Sequence, residues 1–162
     1  GDVYKRQMMM VENLGKPSFF ITMTANPHWP EITRALEGTN LKPEDRPDII
    51  MRVCAGKIKQ FEKELPKVFG DLKGYVWTLE FQQRGLPHIH CLIWTDDNYN
   101  TAAKVDRVIS ANIPTKEIDP ELRELVIKNM IHDCKKRKCL DNGKCKWNYS
   151  KPFSKATDIE YN

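Results

Sequence analysis

A chain of 162 residues is long enough for one domain, or for one domain with an appendage. At 40% hydrophobic and 30% charged it can build a core, which excludes a fully disordered chain; no apolar run approaches the about 20 residues of a transmembrane helix. The net charge of +4 is unevenly placed: residues 128–155 hold nine Lys/Arg against Asp133 and Asp141, so the rest of the chain is net negative. A local basic patch of this kind is a candidate phosphate-binding footprint.

The chain opens on Gly1 and reads as a fragment. Residues 1–7 carry no pattern and read as an assembly scar or a disordered lead; Met8–Met10 is too short for a signal sequence. Ser18–Ala25, rich in Phe, Ile and Thr and closed by Asn26-Pro27, predicts a buried strand. Pro30–Leu36 predicts a short helix with proline in its first turn. From Asp48 to about Leu65 the apolar residues Ile49, Ile50, Val53, Ile58, Phe61 and Leu65 predict an amphipathic helix that starts near Pro47 and stops at Pro66. Gly74–Gln83 and Pro87–Thr95 predict two strands of a hairpin, with Arg84 at the turn. A short element is expected within 106–112. Asp119-Pro120 opens a helix to about Ile131, and the last thirty residues read as irregular, rich in Cys and Lys.

Strand alternation sets the chemistry. Val76, Thr78, Glu80 and Gln82 share one face of the first hairpin strand; His88, His90 and Leu92 share one face of the second. The opposite faces, Trp77, Leu79 and Phe81 with Ile89, Cys91 and Ile93, are apolar and suited to packing against helices. The fold class is therefore α+β: an antiparallel sheet with helices mainly on one face and histidines on the other, plus an irregular Cys-rich C-terminal segment. Two imidazoles and a carboxylate on one rigid face make a candidate divalent-metal site with open positions. Its ligands are His88, His90 and Glu80, with Gln82 as second choice, and the hard carboxylate points to Mg²⁺ or Mn²⁺.

Pro87-His88-Ile89-His90-Cys91-Leu92-Ile93-Trp94 resembles the His-hydrophobic-His motif of HUH endonucleases. More specifically it resembles the replication-initiator domain of Helitron rolling-circle transposases, the helitron helicase-like region. Phe20–Ile32 (F-I-T-M-T-A-N-P-H-W-P-E-I) resembles that family's first strand motif. Ser110–Pro114, the helix after Pro120 and the Cys-rich run ending Lys151-Pro152-Phe153 follow in the family's order. The resemblance implies an HUH, ferredoxin-like sheet and a nuclease of single-stranded DNA. In that family a tyrosine attacks the phosphodiester beside a His-bound metal, a helicase portion follows downstream, and the protein works in the nucleus. His88 and His90 carry over as metal ligands. The nucleophile does not: the family has paired tyrosines one helical turn apart, and Tyr4, Tyr75, Tyr99, Tyr149 and Tyr161 are not so spaced. No catalytic residue is thus assigned in this chain, and the tyrosine helix is expected after Asn162. No G-x-x-x-x-G-K-[ST] loop is present.

Five cysteines are an odd number, which fits a reducing compartment better than a closed disulfide framework. Cys54 and Cys91 fall in apolar patterns and read as core. His132, Cys134, Cys139 and Cys145 offer four ligands within fourteen residues, enough for a structural Zn²⁺. Such a loop would present Lys135, Lys136, Arg137, Lys138 and Trp147 to a DNA strand, and Thr22 and Thr24 are candidate substrate contacts on the metal face. His28-Trp29 is a candidate base stack or ordinary loop packing. The expected organisation is a lead over 1–7, an incomplete nuclease core over 8–131, a zinc loop over 132–155 and a truncated end over 156–162.

Leu92, two residues after His90, argues against a histidine-triad hydrolase, and no second H-x-[ST] motif supports a two-histidine phosphoesterase. The competing reading is a zinc-dependent nucleic-acid-binding module in which the hairpin is scaffold. The partners expected are single-stranded DNA and a helicase portion, with no membrane.

Overall fold

The structure, a computed structural model, describes residues 2–82 and 85–159. It divides into two compact units, Gly1–Tyr99 and Asn100–Asn162.

The first unit runs α1 (Asp2–Leu14), β1 (Phe19–Thr24), α2 (Pro30–Leu36), a 3-10 turn (Pro43–Asp45), α3 (Pro47–Phe69), β2 (Leu72–Phe81) and β3 (Pro87–Thr95). The sheet order is β1-β3-β2, and β3 is antiparallel to both neighbours. β1 and β2 therefore run parallel to each other with β3 between them, a split βαβ whose crossover is α2 and α3. The sheet is antiparallel, as its alternation predicted.

Ile89, Cys91 and Ile93 of β3 are buried, and Ile89 joins a core with Ala25, Ile32, Leu36, Ile50, Cys54 and Ile58. The α2 and α3 contributions recur at helical spacing, so each helix turns one apolar stripe to this core. Cys54 and Cys91 are core residues, and burial pushes the Cys91 thiol up to about 11, which keeps it protonated and inert. Trp29 is half-buried and packs on the core, with the Lys57 ammonium 5.7 Å from its ring centre. It is loop packing rather than an open stacking surface.

Two expectations need correction. α3 does not stop at Pro66 but continues to Phe69, and Gly70, at φ 73°, ends it. Pro66 removes one N–H only a turn from the end, and the burial of Leu65 before it and Phe69 after it, one turn apart, holds that last turn. Residues 2–7, read as scar or disordered lead, form the first half of α1. Met10 and Leu14 of α1 come within 3.0 and 3.4 Å of where a Cβ on Gly74 would stand, and the Trp94 indole N–H donates to the Gly15 carbonyl at 2.9 Å. Gly74 pairs with Trp94 on the histidine-bearing side of the sheet. The close approach needs a residue without a side chain at 74. α1 thus covers the far end of that face and leaves the His88 end open.

The second unit holds α4 (Ala102–Asp106), α5 (Pro120–Asn129), α6 (Cys134–Arg137) and a two-stranded hairpin, β4 (Leu140–Asp141) with β5 (Lys144–Cys145). The short element expected within 106–112 lies earlier, as α4, where the Thr101 hydroxyl caps the Lys104 N–H. α5 starts as predicted: the Asp119 carboxylate accepts from the Leu122 N–H at 2.8 Å. The C-terminal segment is less irregular than its composition suggests. Asn142 (φ 47°) and Gly143 (φ 75°) form the two-residue turn joining β4 to β5, the Asn-Gly turn that suits a hairpin. Among the described residues of this unit only Cys139 is buried, while Leu122, Leu125, Ile127 and Met130 stay exposed.

Candidate functional site

Strand register arranges the histidine face as a grid. Thr24 and Glu80 flank His88; Thr22 and Thr78 flank His90; Phe20 and Val76 flank Leu92. Glu80 therefore stands where alternation placed it. Its Oε2 lies 3.4 Å from His90 Nε2, and the His88 and His90 rings meet edge-on with centroids 4.5 Å apart.

The two imidazoles are held differently. His88 Nδ1 lies 2.6 Å from the Thr24 hydroxyl and 3.3 Å from Gln82 Nε2. Both partners engage the same nitrogen, which leaves Nε2 as the nitrogen available to a ligand. His90 is held by stacking: its ring lies 5.4 Å from Phe20 at an interplanar angle of 9°. Its Nδ1 is buried without a hydrogen-bond partner. Such a group costs about 1–3 kcal/mol when left unsatisfied, and costs of this size collect at functional sites.

Thr24, expected to touch substrate, touches His88 instead, while Thr22 lies exposed beside His90. Gln82, second choice as third ligand, sits on the Nδ1 edge of His88, away from the free Nε2. Arg84 and Tyr161 lie outside the described residues. Phe20 and Thr78 were given no role at the site from the sequence, although alternation put Thr78 on this face. The signal for both was the same alternation, extended across β1 and β2 once the register is known. Tyr75 is on the opposite face, where its hydroxyl donates to Glu62 at 3.4 Å, and Tyr99 packs against Phe19 on that side too. Neither can reach the histidines. By type, two imidazoles and one carboxylate suit a divalent cation, with Nε2 of His88 free and Nε2 of His90 beside the Glu80 carboxylate.

In the second unit His132, Cys134, Cys139 and Cys145 bring their ligand atoms within 4.8 Å of one another. Among the described residues it is the group gathered closely enough to hold a metal; the Glu80, His88, His90 set is not drawn together so tightly. His132 Nε2 is 3.2 Å from Cys139 Sγ and 3.4 Å from Cys145 Sγ, and the two sulfurs are 3.7 Å apart. A tetrahedral ion with Zn–S of about 2.3 Å and Zn–N of about 2.1 Å needs edges of roughly 3.5–3.8 Å. The cluster could therefore hold a metal such as zinc with little rearrangement. The Asn-Gly hairpin makes this possible: Leu140 pairs with Cys145, and the Lys146 N–H donates to the Cys139 carbonyl at 2.8 Å.

The sulfurs compete for charge. Desolvation, then the neighbouring Cys139 and Cys145, push the Cys134 thiol up to about 12. Desolvation also raises Cys145, but backbone hydrogen bonds from Tyr149 and Trp147 and the side chains of Cys139 and Cys134 outweigh it and bring Cys145 down to about 6. A divalent cation is what allows all three to be thiolates together. Tyr149 lies flat on His132, with ring centroids 4.0 Å apart. Lys135, Lys138 and Trp147 are exposed nearby in sequence; the side chains of Lys136 and Arg137 are outside the description.

The family model for the helitron helicase-like domain at the N-terminus matches residues 2–93, more than half of the chain. The chain belongs to this family. The helitron helicase-like match takes in α1, the whole three-stranded grid and His88-x-His90, and stops before the Cys/His cluster. It also covers residues 2–7. A comparison with curated proteins gives no match. Among the described residues no helix is long and apolar enough to cross a membrane.

Proposed function

We propose that this helitron helicase-like chain carries the metal-binding part of a nuclease that nicks and joins single-stranded DNA in rolling-circle transposition. The observation that carries the reading is that Glu80, His88 and His90 share the open end of one sheet face, with His88 Nε2 left free by the fold and His90 Nε2 facing the Glu80 carboxylate at 3.4 Å. Glu80, His88 and His90 would hold Mg²⁺ or Mn²⁺, which when bound supplies Lewis-acid polarisation and orientation of a phosphate. In the tautomer that donates Nδ1–H to the Thr24 hydroxyl, His88 presents a lone pair at Nε2. The Thr22 and Thr78 hydroxyls, beside His90 in register, would donate to phosphate oxygens. The attacking tyrosine would come from a helix beyond Asn162, because no two tyrosines of this chain have the family's spacing of one helical turn. Zn²⁺ in the Cys/His cluster is structural, and Lys135, Lys136, Arg137, Lys138 and Trp147 bind the strand. A helicase portion of the parent protein is the partner downstream, and the nucleus the place of action.

Two measurements test this. Mn²⁺ titrated into the zinc-loaded chain and followed by electron paramagnetic resonance should bind one equivalent, lost in His88→Ala or His90→Ala and kept in Gln82→Ala. A chain extended past Asn162 should then form a covalent adduct with labelled single-stranded DNA on a denaturing gel, in Mg²⁺ or Mn²⁺ only. DNA binding without any metal-dependent adduct would instead favour the non-catalytic zinc-dependent binding module.

A further inference from the structure

Residues 130–151 carry a surface that the cluster's ligand role does not use. Met130, His132, Trp147, Tyr149 and Lys151 line one open cleft. Trp147 is 64% exposed, although tryptophan is among the most buried side chains on average. The backbone that carries it is fixed on both sides: the Lys146 N–H donates to the Cys139 carbonyl at 2.8 Å and the Asn148 N–H to the Cys145 carbonyl at 2.9 Å. The exposed indole is therefore mounted, not trailing. Beside it the Tyr149 ring is stacked on His132 at an interplanar angle of 7°, and the Lys151 ammonium stands 5.7 Å from the Tyr149 ring centre.

The occupant that suits this cleft has a flat unsaturated body and an anionic tail. Lys144, Lys146, Lys151 and Lys155 surround the aromatic pair in sequence, with Asp141 the one acid between 139 and 155. An apolar peptide would use the indole but not the cations; duplex DNA would use the cations but hides the faces of its bases. We propose that the cleft takes one unpaired base of single-stranded DNA, stacked on Trp147 beside the Tyr149–His132 pair with Lys151 toward the phosphate. The proposal rests on the single-stranded DNA reading above and deepens it. His132 is both a cluster ligand and the lower ring of the stack, and Cys145 anchors the turn that carries Trp147. The base site therefore depends on the metal, whereas charge attraction from the lysines does not.

The test compares two labelled oligomers of equal length, oligothymidylate and its abasic analogue, by fluorescence anisotropy at one salt concentration. Both carry the same phosphates, and only the first can stack. Stacking of one base is worth about 5- to 150-fold in affinity. Trp147→Ala should weaken oligothymidylate binding by at least about fivefold and leave abasic binding unchanged, while Trp147→Phe keeps most of the preference. Chelation of the cluster metal should erase the same base-dependent part. Equal loss for both oligomers, or no loss for either, overturns the proposal, as does tighter binding of oligouridylate than of oligothymidylate. The variants' zinc content, equal to that of the unsubstituted chain, excludes a folding defect. This assay involves neither the histidine face nor cleavage, so the nuclease reading can fail while this stands, and the reverse.

Discussion

The two candidate metal centres hold their ligands by opposite means. In Gly1–Tyr99 the side chains of Glu80, His88 and His90 are set by strand register over a core of Ile32, Ile50, Cys54, Ile58 and Ile89. That face would stand without an ion, because the buried layer beneath it stabilises the sheet. In Asn100–Asn162 the order is reversed. Cys139 is the one buried residue among those described, and it is itself a ligand. A unit with so little apolar burial would gain most from a metal staple, as small metal-bound domains do. A site built on a finished fold can keep positions open for substrate, whereas a site that makes the fold must be closed.

The largest expected effect breaks the second unit and spares the first. Chelation, or Cys139→Ala, should abolish amide exchange protection across residues 132–149 and leave the protection of β1, β2 and β3 in place. Structural zinc contributes on the order of 10 kcal/mol in small domains, so the loss should be complete. Retained protection after chelation would mean that the hairpin folds on its own. The reciprocal change is Ile93→Ala, which empties a fully buried position under the sheet. It should destabilise the first unit by about 2–5 kcal/mol in urea titration, with zinc stoichiometry unchanged.

A smaller effect sharpens the account of the histidine face. Thr24→Val removes the hydroxyl from His88 Nδ1 but keeps the side-chain shape. Mn²⁺ affinity should fall roughly 10- to 100-fold, as for other partners that orient a metal ligand, with little change in stability; Thr24→Ser should restore it. If Thr24→Val binds Mn²⁺ as tightly as the unsubstituted chain, Gln82 alone orients the ring.

The residues explain why some of this was legible in the sequence and some was not. Period-two alternation through Val76, Thr78 and Glu80 and through His88, His90 and Leu92 fixes faces whatever the rest of the chain does. The hairpin then brings Glu80 opposite His88. α1 has no comparable signal. Its place depends on the missing side chain of Gly74, about sixty residues away, which only the folded sheet puts under Met10. Pro66 misleads because a proline's effect depends on how many turns remain, and that is set by the burial of Leu65 and Phe69. In the second unit the four ligands were readable by type, but their common spacing rules were not met. The local signal that brings Cys139 to Cys145 is Asn142-Gly143, hidden within a composition that otherwise looks like loop. Tyr149 carries no sequence signal at all; only the fold lays it on His132.

The smallest expected effect separates the units by pH and salt. Asp48 sits in the first turn of α3 and makes two hydrogen bonds with the Arg46 guanidinium, at 2.7 and 2.8 Å. That pairing holds its carboxyl at about 2, below the ordinary 3.8. The folded value lies below the unfolded one, so the stabilisation is fully present above about pH 4 and fades as the pH falls through about 2. Asp48→Asn should therefore lower the urea midpoint of the first unit slightly at neutral pH and by much less near pH 2. The pair is solvent-exposed, so added salt should shrink even the neutral-pH difference. The amide protection of residues 132–149, tied to the Cys/His cluster, should not respond to Asp48→Asn under any of these conditions. A midpoint difference that stays undiminished at pH 2 would show that Asp48 acts through packing and not through its charge.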